Sequence, residues 1–146
     1  LPVPLCIGFG EAARIANKSL KKESYDTKHL RNYFLKKIKL SFPDVVVNGS
    51  FESRLPANLN ISIKGVDAEL LISKLKNTVI SSGSACSSKD LEPSSVLLGM
   101  GLKDNIIRSA LRIGLGRFTT KKEATIAVEE IIKVAKEIRE NANSNI

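Results

Sequence analysis

The sequence predicts an α+β two-layer domain, within the broad α/β class, in which a short mixed or antiparallel sheet packs against long helices. Long apolar stripes at helical spacing lie near both ends of the chain, and four short strand-like runs lie between them. The chain has 146 residues, a length typical of one domain. Apolar residues make up 42% and charged residues 26%, and this balance argues against a disordered chain.

Residues 1–40 are predicted to form a helical segment that leads into the domain. Pro4 suits the first turn of a helix, where an amide donor is not needed. Two apolar stripes follow, and we expect a bend between them at Lys21–Ser24. Pro43 ends the segment, because proline disfavours helix at the residue before it. The first stripe comprises Ala12, Ala13, Ile15, Ala16 and Leu20, and the second comprises Leu30, Phe34 and Ile38.

The domain itself is predicted to span residues 41–140, with residues 141–146 as a tail. Asp67 can cap a helix that ends near Asn77. Thr120 and Glu123 form the capping-box pattern at the start of the last helix. β-branched runs and alternation of polar and apolar residues predict four strands. These strands are Val45–Val47, Asn58–Ile63, Thr78–Ser81 and Ser109–Leu115.

The segment Ser81–Ser88 differs most from an ordinary core sequence. Its side chains are nearly all small, and Gly83 adds backbone freedom, so the loop suits a residue that moves or is closely approached. Cys86 is its strong nucleophile, and the thiolate is the reactive form. Lys89 favours the thiolate, whereas Asp90 opposes it. The alternative is that Cys86 is an ordinary small residue, since most free cysteines are simply buried.

Arg112 is the second candidate residue. In an extended segment 109–115 it lies on the face opposite the large apolar residues, and its neighbours on that face are Ala110 and Gly114. These small neighbours leave room for a ligand beside the guanidinium. The alternative is a surface arginine on an edge strand. Arg117, a little further along, suits a structural ion pair equally well and is not assigned to catalysis.

Six stretches form an ordered set along the chain, and one of them lies in the cysteine loop. They are Gly8–Ala12, Asn48–Ser50, Ser82–Ser88, Leu91–Ser94, Leu98–Gly101 and Arg112–Thr120. In this order and spacing the set resembles the NifS/IscS-type cysteine desulfurases. Ser82–Ser88 resembles the persulfide loop of that family, and Arg112–Thr120 resembles its next signature. The resemblance covers the chain from Leu1 to about Arg139.

The resemblance implies the small C-terminal domain of a fold-type I enzyme that uses pyridoxal 5'-phosphate (PLP), with the persulfide loop at residues 81–90. In this family the cofactor holds L-cysteine and acts as an electron sink. Cys86 matches the catalytic cysteine that attacks the substrate sulfur, which leaves an enzyme persulfide and releases L-alanine. Arg112 matches the arginine that binds the substrate carboxylate, a role suited to a planar, two-pronged donor.

The same resemblance implies that the cofactor-binding residues lie outside this chain. The family's cofactor lysine, its aspartate for the pyridine nitrogen, its stacking histidine and its phosphate-binding turn belong to a large domain. No serine-histidine-lysine string occurs here, and His29, the single histidine, is expected to be a solvated or partly packed helix residue. We therefore expect the chain alone to bind PLP weakly or not at all, and to be inactive without the cofactor domain.

The partners implied by the resemblance are L-cysteine, a sulfur acceptor such as an iron–sulfur scaffold protein, and a second copy in a full-length homodimer. Ser87 and Ser88-Lys89 replace the usual threonine and serine-alanine of the loop, and Ser87 keeps the hydroxyl group. The family's tail that helps to dock the scaffold would lie beyond Ile146, which leaves scaffold docking open.

Cysteine usage and hydropathy indicate the compartment. Two distant cysteines provide neither a disulfide framework nor metal-ligand spacing, which indicates a reducing compartment, either the cytoplasm or the mitochondrial matrix of a eukaryote. Cys6 lies among apolar residues and is predicted to be a packing residue, and no metal ligand is predicted. No apolar run reaches the roughly 18 residues of a membrane helix, and the proline-containing N-terminus does not resemble a signal peptide.

The formal net charge of +8 raises the alternative of a nucleic-acid-binding domain. Against it stand the absence of tryptophan, an aromatic content of only 5% and the lack of a nucleic-acid motif. We predict instead a solvated helix face that can also steer an acidic protein partner. Its residues are Lys18, Lys21, Lys22, Lys28, Arg31, Lys36, Lys37 and Lys39. A catalytically silent interaction module that retains the fold is a further alternative.

Overall fold

The computed structural model describes residues 2–82 and 94–143, and these residues form five helices and four strands. The helices are α1 (Val3–Ser41), α2 (Ala68–Lys74), α3 (Ser95–Gly99), α4 (Asp104–Arg108) and α5 (Lys121–Asn143). The strands are β1 (Val46–Val47), β2 (Asn58–Ser62), β3 (Ser81–Ser82) and β4 (Ala110–Gly114). No helix within the described ranges is long and apolar enough to cross a membrane.

The four strands form one sheet in the order β1-β2-β4-β3, and each of these pairings is antiparallel. At its centre, Leu59 of β2 lies opposite Ile113 of β4, and Ile61 lies opposite Leu111. β3 is a two-residue strand at the edge of this sheet. The predicted α+β architecture is therefore confirmed, and the sheet is antiparallel rather than mixed.

One face of the sheet carries the main core, which α1, α2 and α5 cover. The strand residues on this face are buried because apolar surface removed from water stabilises the fold by roughly 25 cal/mol per Å². The best buried residues of the core are Phe34, Ile38, Leu59, Ile61, Ile63, Leu71, Leu111, Val128, Ile131 and Ala135. Two long helices thus contribute apolar faces to the core. These faces are the predicted stripe Leu30 to Ile38 in α1 and the apolar face of α5.

The helix α1 is continuous, so the predicted bend at Lys21–Ser24 is wrong. That segment contains neither proline nor glycine, which are the usual causes of a break. In addition, Lys22 Nζ pairs with Asp26 Oδ2 one turn later at 2.6 Å, a spacing that supports a helix.

The N-terminal half of α1 lies outside the core. Leu5 and Phe9 are 71% and 78% exposed, and Leu20 in the predicted first stripe is 60% exposed. The other members of that stripe, Ala12, Ala13, Ile15 and Ala16, are exposed as well. The spacing correctly predicts a helix with an apolar side, but the described residues do not cover that side.

The predicted helix caps are present. Asp67 Oδ1 accepts a hydrogen bond from the Leu70 amide at 2.8 Å, and α2 ends at Lys74 rather than near Asn77. At the start of α5, the Thr120 amide donates to Glu123 Oε2 at 2.7 Å and the Glu123 amide donates to Thr120 Oγ1 at 3.2 Å. The last helix continues to Asn143, into the predicted tail.

Two short helices follow the region of the cysteine loop and were not predicted from the sequence. Leu97 of α3 and Ile107 of α4 form a second, smaller core cluster with Ala110 of β4. Each helix has only five residues, too short to show helical periodicity in a sequence. β3 likewise lies at Ser81–Ser82, shifted from the predicted Thr78–Ser81.

Candidate functional site

The candidate site lies on the face of β4 that points away from the main core. Along this strand, the buried Leu111 and Ile113 alternate with the exposed Arg112, as the sequence predicts. Ala110 shares the face of Arg112 but is fully buried, because α3 and α4 pack over that end of the strand. The face is therefore closed at its Ala110 end and open at Arg112.

Ser81 orients the guanidinium of Arg112. The two residues lie directly opposite each other in the pairing of β3 with β4, so their side chains share one face of the sheet. Arg112 Nε donates a hydrogen bond to Ser81 Oγ over 3.1 Å. This contact holds the plane of the guanidinium. The two terminal nitrogens can then donate a pair of hydrogen bonds to one carboxylate.

Open space beside Arg112 is provided by Gly114, two residues further along the same face. A Cβ atom built on Gly114 would meet no described atom within 4 Å. Among the described residues, none fills this side of Arg112, which is compatible with the predicted room for a ligand. On the other side, the burial of Ala110 removes the space that the sequence had suggested.

The cross-strand neighbours of Arg112 are uncharged. Asn60 of β2 lies opposite Arg112 on the side away from Ser81, and its Oδ1 accepts a hydrogen bond from Asn48 Nδ2 at 2.7 Å. Asn48 Nδ2 also donates to Ser62 Oγ at 2.9 Å. Among the described residues, both cross-strand partners of Arg112 are thus neutral polar groups, an arrangement that suits a carboxylate ligand at this arginine.

Arg117 forms an ion pair with α1 and a contact with its neighbouring ring. Its Nε lies 2.7 Å from Glu23 Oε1, and its guanidinium carbon lies 6.0 Å from the centre of the Phe118 ring. The ion pair joins the segment after β4 to α1. This agrees with the interpretation of Arg117 as an ion-pair partner, and Arg112 is the arginine of the pair that faces the candidate site.

A pocket bounded by described residues adjoins the Arg112 face at Gly114. It has a volume of about 720 Å³, and its walls include Phe34, Ile113 and the 86% exposed Phe118. Phe34 and Ile113 belong to the main core, and Gly114 of the Arg112 face also lines the pocket. Arg112 is not among the described residues that line it.

Cys86 lies outside the described residues, so its position relative to Arg112 stays a prediction. The other cysteine, Cys6, is exposed on α1, so its prediction as a packing residue is wrong: the apolar residues around it belong to the uncovered half of that helix. His29 is exposed, with its ring centre 4.2 Å from that of Tyr25, as expected for a solvated helix residue. Within the described ranges, histidine, cysteine and acidic residues form no cluster able to hold a metal ion.

The basic residues of α1 are mostly solvated, as predicted, with one exception. Arg31 is only 2% exposed, and its Nη2 donates to Asn32 Oδ1 at 2.9 Å. Its guanidinium also lies 4.8 Å from the centre of the Phe51 ring, a cation–π contact. Arg31 therefore belongs to the packing of α1 against the loop after β1 and not to a basic surface.

Two kinds of comparison place the chain among known proteins. It is 42% identical over 140 residues to the cysteine desulfurase IscS of Ehrlichia chaffeensis, a match that covers 96% of this chain and 34% of that protein. It is 40% identical over 140 residues to the IscS of Rickettsia bellii, again over 96% of this chain and 34% of that protein. The chain thus spans about a third of the length of the curated relatives it matches. No protein-family profile matches it.

Solved structures show the same fold. A protein described as NifS-like superposes with a TM-score of 0.79 at 21% identity, over 94% of this chain and 34% of that one. The X-ray structure of a NifS-like protein from Rickettsia africae superposes with a TM-score of 0.70 at 27% identity, over 91% of this chain and 33% of that one. The structural match at 21% identity shows the fold alone. The similarity in sequence is shown by the curated relatives at 42% and 40% identity.

Proposed function

We propose that this chain is the C-terminal part of a NifS/IscS-type cysteine desulfurase. It matches about a third of the length of such enzymes. The observation that carries the proposal is the similarity of 42% identity along 96% of the chain. The geometry of Arg112 supports it independently, because an exposed, oriented guanidinium with open space beside it suits an amino-acid carboxylate. The proposed activity is the removal of sulfur from L-cysteine.

In this proposal Arg112 binds the carboxylate of L-cysteine. The Nε–H is already engaged by Ser81 Oγ, so the substrate meets the terminal nitrogens of a guanidinium that is held in one plane. The cross-strand neighbours Ser81 and Asn60 carry no charge that would compete with the substrate. Binding the carboxylate fixes one end of the substrate and so orients its sulfur for reaction.

Cys86 is proposed as the nucleophile that accepts the sulfur. Its thiolate forms a sulfur–sulfur bond with the substrate sulfur, while the substrate carbon–sulfur bond breaks. The electron pair of the broken bond stays with the carbon fragment, which takes up a proton and leaves as L-alanine. The thiol is thereby converted to a persulfide, and no further oxidant is required.

The described residues fit the substrate carboxylate but not the cofactor. The groups beside Arg112 are a serine hydroxyl and an asparagine amide, whereas PLP needs a lysine for its aldehyde and an acid for its pyridine nitrogen. We therefore assign no cofactor ligand to this chain. PLP, bound by the remainder of the enzyme, supplies the electron sink for the reaction.

The exposed half of α1 supports a place within a larger protein. Leu5, Phe9 and Leu20 recur on one side of the helix and are between 60% and 78% exposed. Contiguous apolar surface of this kind is usually covered by another part of a protein or by a partner. We propose that the remaining two-thirds of the desulfurase covers it. The sulfur acceptor, an iron–sulfur scaffold protein, and the homodimer are likewise proposed for the full-length enzyme, in the cytoplasm or mitochondrial matrix.

The proposal is tested in a full-length enzyme made by joining this chain to the remainder of the Ehrlichia chaffeensis IscS. We expect this enzyme to bind PLP and to form L-alanine from L-cysteine. The matched control carries Cys86→Ser, and it should bind PLP equally well while forming no alanine. PLP binding without alanine formation by the enzyme with an intact Cys86 would contradict the proposed activity and favour a catalytically silent module.

A further inference from the structure

We propose that Glu130 of α5 is a positioning residue for Arg112, acting through the segment that leads into β3. The contacts that join Glu130 to this segment do not depend on the proposed function. The benefit to substrate binding rests on the proposed function, because it requires that Arg112 binds the carboxylate of L-cysteine.

The carboxylate of Glu130 holds three consecutive residues. Its Oε1 accepts hydrogen bonds from the amides of Lys76 at 2.8 Å and Asn77 at 3.1 Å. Its Oε2 accepts a hydrogen bond from Thr78 Oγ1 at 2.6 Å. Hydrogen bonds to a charged acceptor are roughly twice as strong as those between neutral groups. Consistent with this, the Thr78 hydroxyl and then the Lys76 amide lower the pKa of Glu130 below its usual value.

The clamped segment lies directly before the strand that carries Ser81. Only Val79 and Ile80 separate Thr78 from Ser81, and the three steps along the chain cover at most about 11 Å. Val79 is 99% exposed and does not hold the segment by packing, whereas Ile80 packs against the main core. β3 itself has two residues, Ser81 and Ser82, and pairs at the sheet edge with β4.

A strand this short makes few backbone hydrogen bonds, so its position depends on the attachment of the chain before it. In the described structure, the hydrogen bond of Glu130 to Thr78 and the packing of Ile80 against the main core together provide that attachment. Ser81 then accepts the hydrogen bond of Arg112 Nε at 3.1 Å. A sequence of contacts thus runs from α5 through residues 76–78 and β3 to the guanidinium. Release of the clamp is expected to let Ser81 move and to leave Arg112 less well oriented.

The first test uses NMR on the 146-residue chain. Glu130→Ala should accelerate amide exchange at Asn77 by about fivefold or more, as expected for loss of a hydrogen bond, and should shift and broaden the Arg112 Nε–H signal. Glu130→Gln, which keeps one acceptor oxygen, should give an intermediate result. Alanine is a good helix former, so α5 should persist in the variant. Glu129→Ala, the adjacent exposed acid on the same helix, is the matched control and should leave both signals unchanged.

The second test uses the joined full-length enzyme. Glu130→Ala should raise KM for L-cysteine by about twofold to threefold with kcat unchanged, a smaller effect than loss of the Ser81 hydroxyl, because Glu130 acts on Arg112 only through Ser81. Inhibition by 3-mercaptopropionate, which has the carboxylate without the amine, should weaken equally. Inhibition by cysteamine, which has the amine without the carboxylate, should not change.

Two results would overturn the positioning role. One is an Arg112 Nε–H signal that Glu130→Ala leaves as it is in the wild-type chain. The other is equal weakening of both inhibitors, which would indicate a general structural effect. If the wild-type joined enzyme forms no alanine, the proposed function fails, and the NMR measurement alone then decides whether Glu130 orients Arg112.

Discussion

Arg112 and Ser81 face each other across the β3–β4 pairing, and the Arg112 Nε–H donates to the Ser81 hydroxyl oxygen at 3.1 Å. This contact joins the middle of a central strand to a two-residue strand at the sheet edge. Ser81 is also the first residue of the predicted persulfide loop. The same residue therefore contacts the proposed carboxylate-binding arginine and begins that loop.

Replacement of Arg112 by lysine should weaken substrate binding. Lysine keeps the positive charge but offers one ammonium group in place of the two-pronged guanidinium. We expect KM for L-cysteine to rise about tenfold or more, the size typical for loss of a hydrogen bond to a charged group. The measurement is steady-state alanine formation by the joined enzyme. An unchanged KM would remove Arg112 from carboxylate binding.

Replacement of Ser81 by alanine should have a smaller effect of the same kind. The guanidinium remains but loses the acceptor that orients it, so KM should rise by about threefold to fivefold. Ser81→Thr, which retains the hydroxyl on a residue favoured in strands, should keep most of the binding. A Ser81→Ala enzyme with the same KM as the wild type would show that the hydrogen bond at 3.1 Å does not matter for substrate binding.

Arg117 should behave differently from Arg112. Its ion pair with Glu23 is partly exposed, with side-chain exposures of 40% and 27%, so its contribution to stability is screened by solvent. Arg117→Ala is expected to lower the free energy of unfolding by no more than about 1 kcal/mol and to leave KM for L-cysteine unchanged. Urea denaturation and the alanine assay measure the two effects. A KM increase as large as that of Arg112→Lys would place Arg117 in the substrate site.

The stability of the chain should fall in acid partly through Glu123. The Thr120 amide and hydroxyl lower the pKa of Glu123 below its usual value by donating hydrogen bonds to the carboxylate. The stabilisation is therefore complete above the pKa in the unfolded chain, about 4.3, and is lost as the pH falls through the lower folded value. Glu123→Gln should reduce the loss of thermal stability between about pH 6 and about pH 3.

Thr120→Ala is the companion variant for this measurement. It removes the hydroxyl donor but keeps the amide donor, so its acid dependence should lie between those of the wild type and Glu123→Gln. The same acid dependence in all three proteins would show that the capping box does not contribute to the pH dependence of stability.

Local features of the fold were predictable from the sequence because they depend on neighbouring residues. The cap at Asp67, the capping box at Thr120 and the placement of Arg112 on the polar face of its strand each need only a few adjacent positions. The hydrogen bond between Ser81 and Arg112 could not be predicted in this way. It depends on the register of two strands that are 31 residues apart in sequence.

The predictions that are wrong, the bend in α1 and the packing of Cys6, also depend on more than the local sequence. The bend expected in α1 rested on a polar stretch, and a polar stretch continues a helix as readily as it ends one. The apolar neighbours of Cys6 predict that it packs, yet the described residues do not cover that half of the helix. The contacts of Glu130 with Lys76 and Thr78 span more than 50 residues, so no local pattern indicates them.

The most direct test of the central claim is the mass of the joined enzyme after brief exposure to L-cysteine without a reductant. We predict a gain of one sulfur atom, located at Cys86 by peptide mapping, and no gain in the Cys86→Ser enzyme. An enzyme that forms alanine but never carries the added sulfur at Cys86 would contradict the assignment of that residue as the sulfur acceptor.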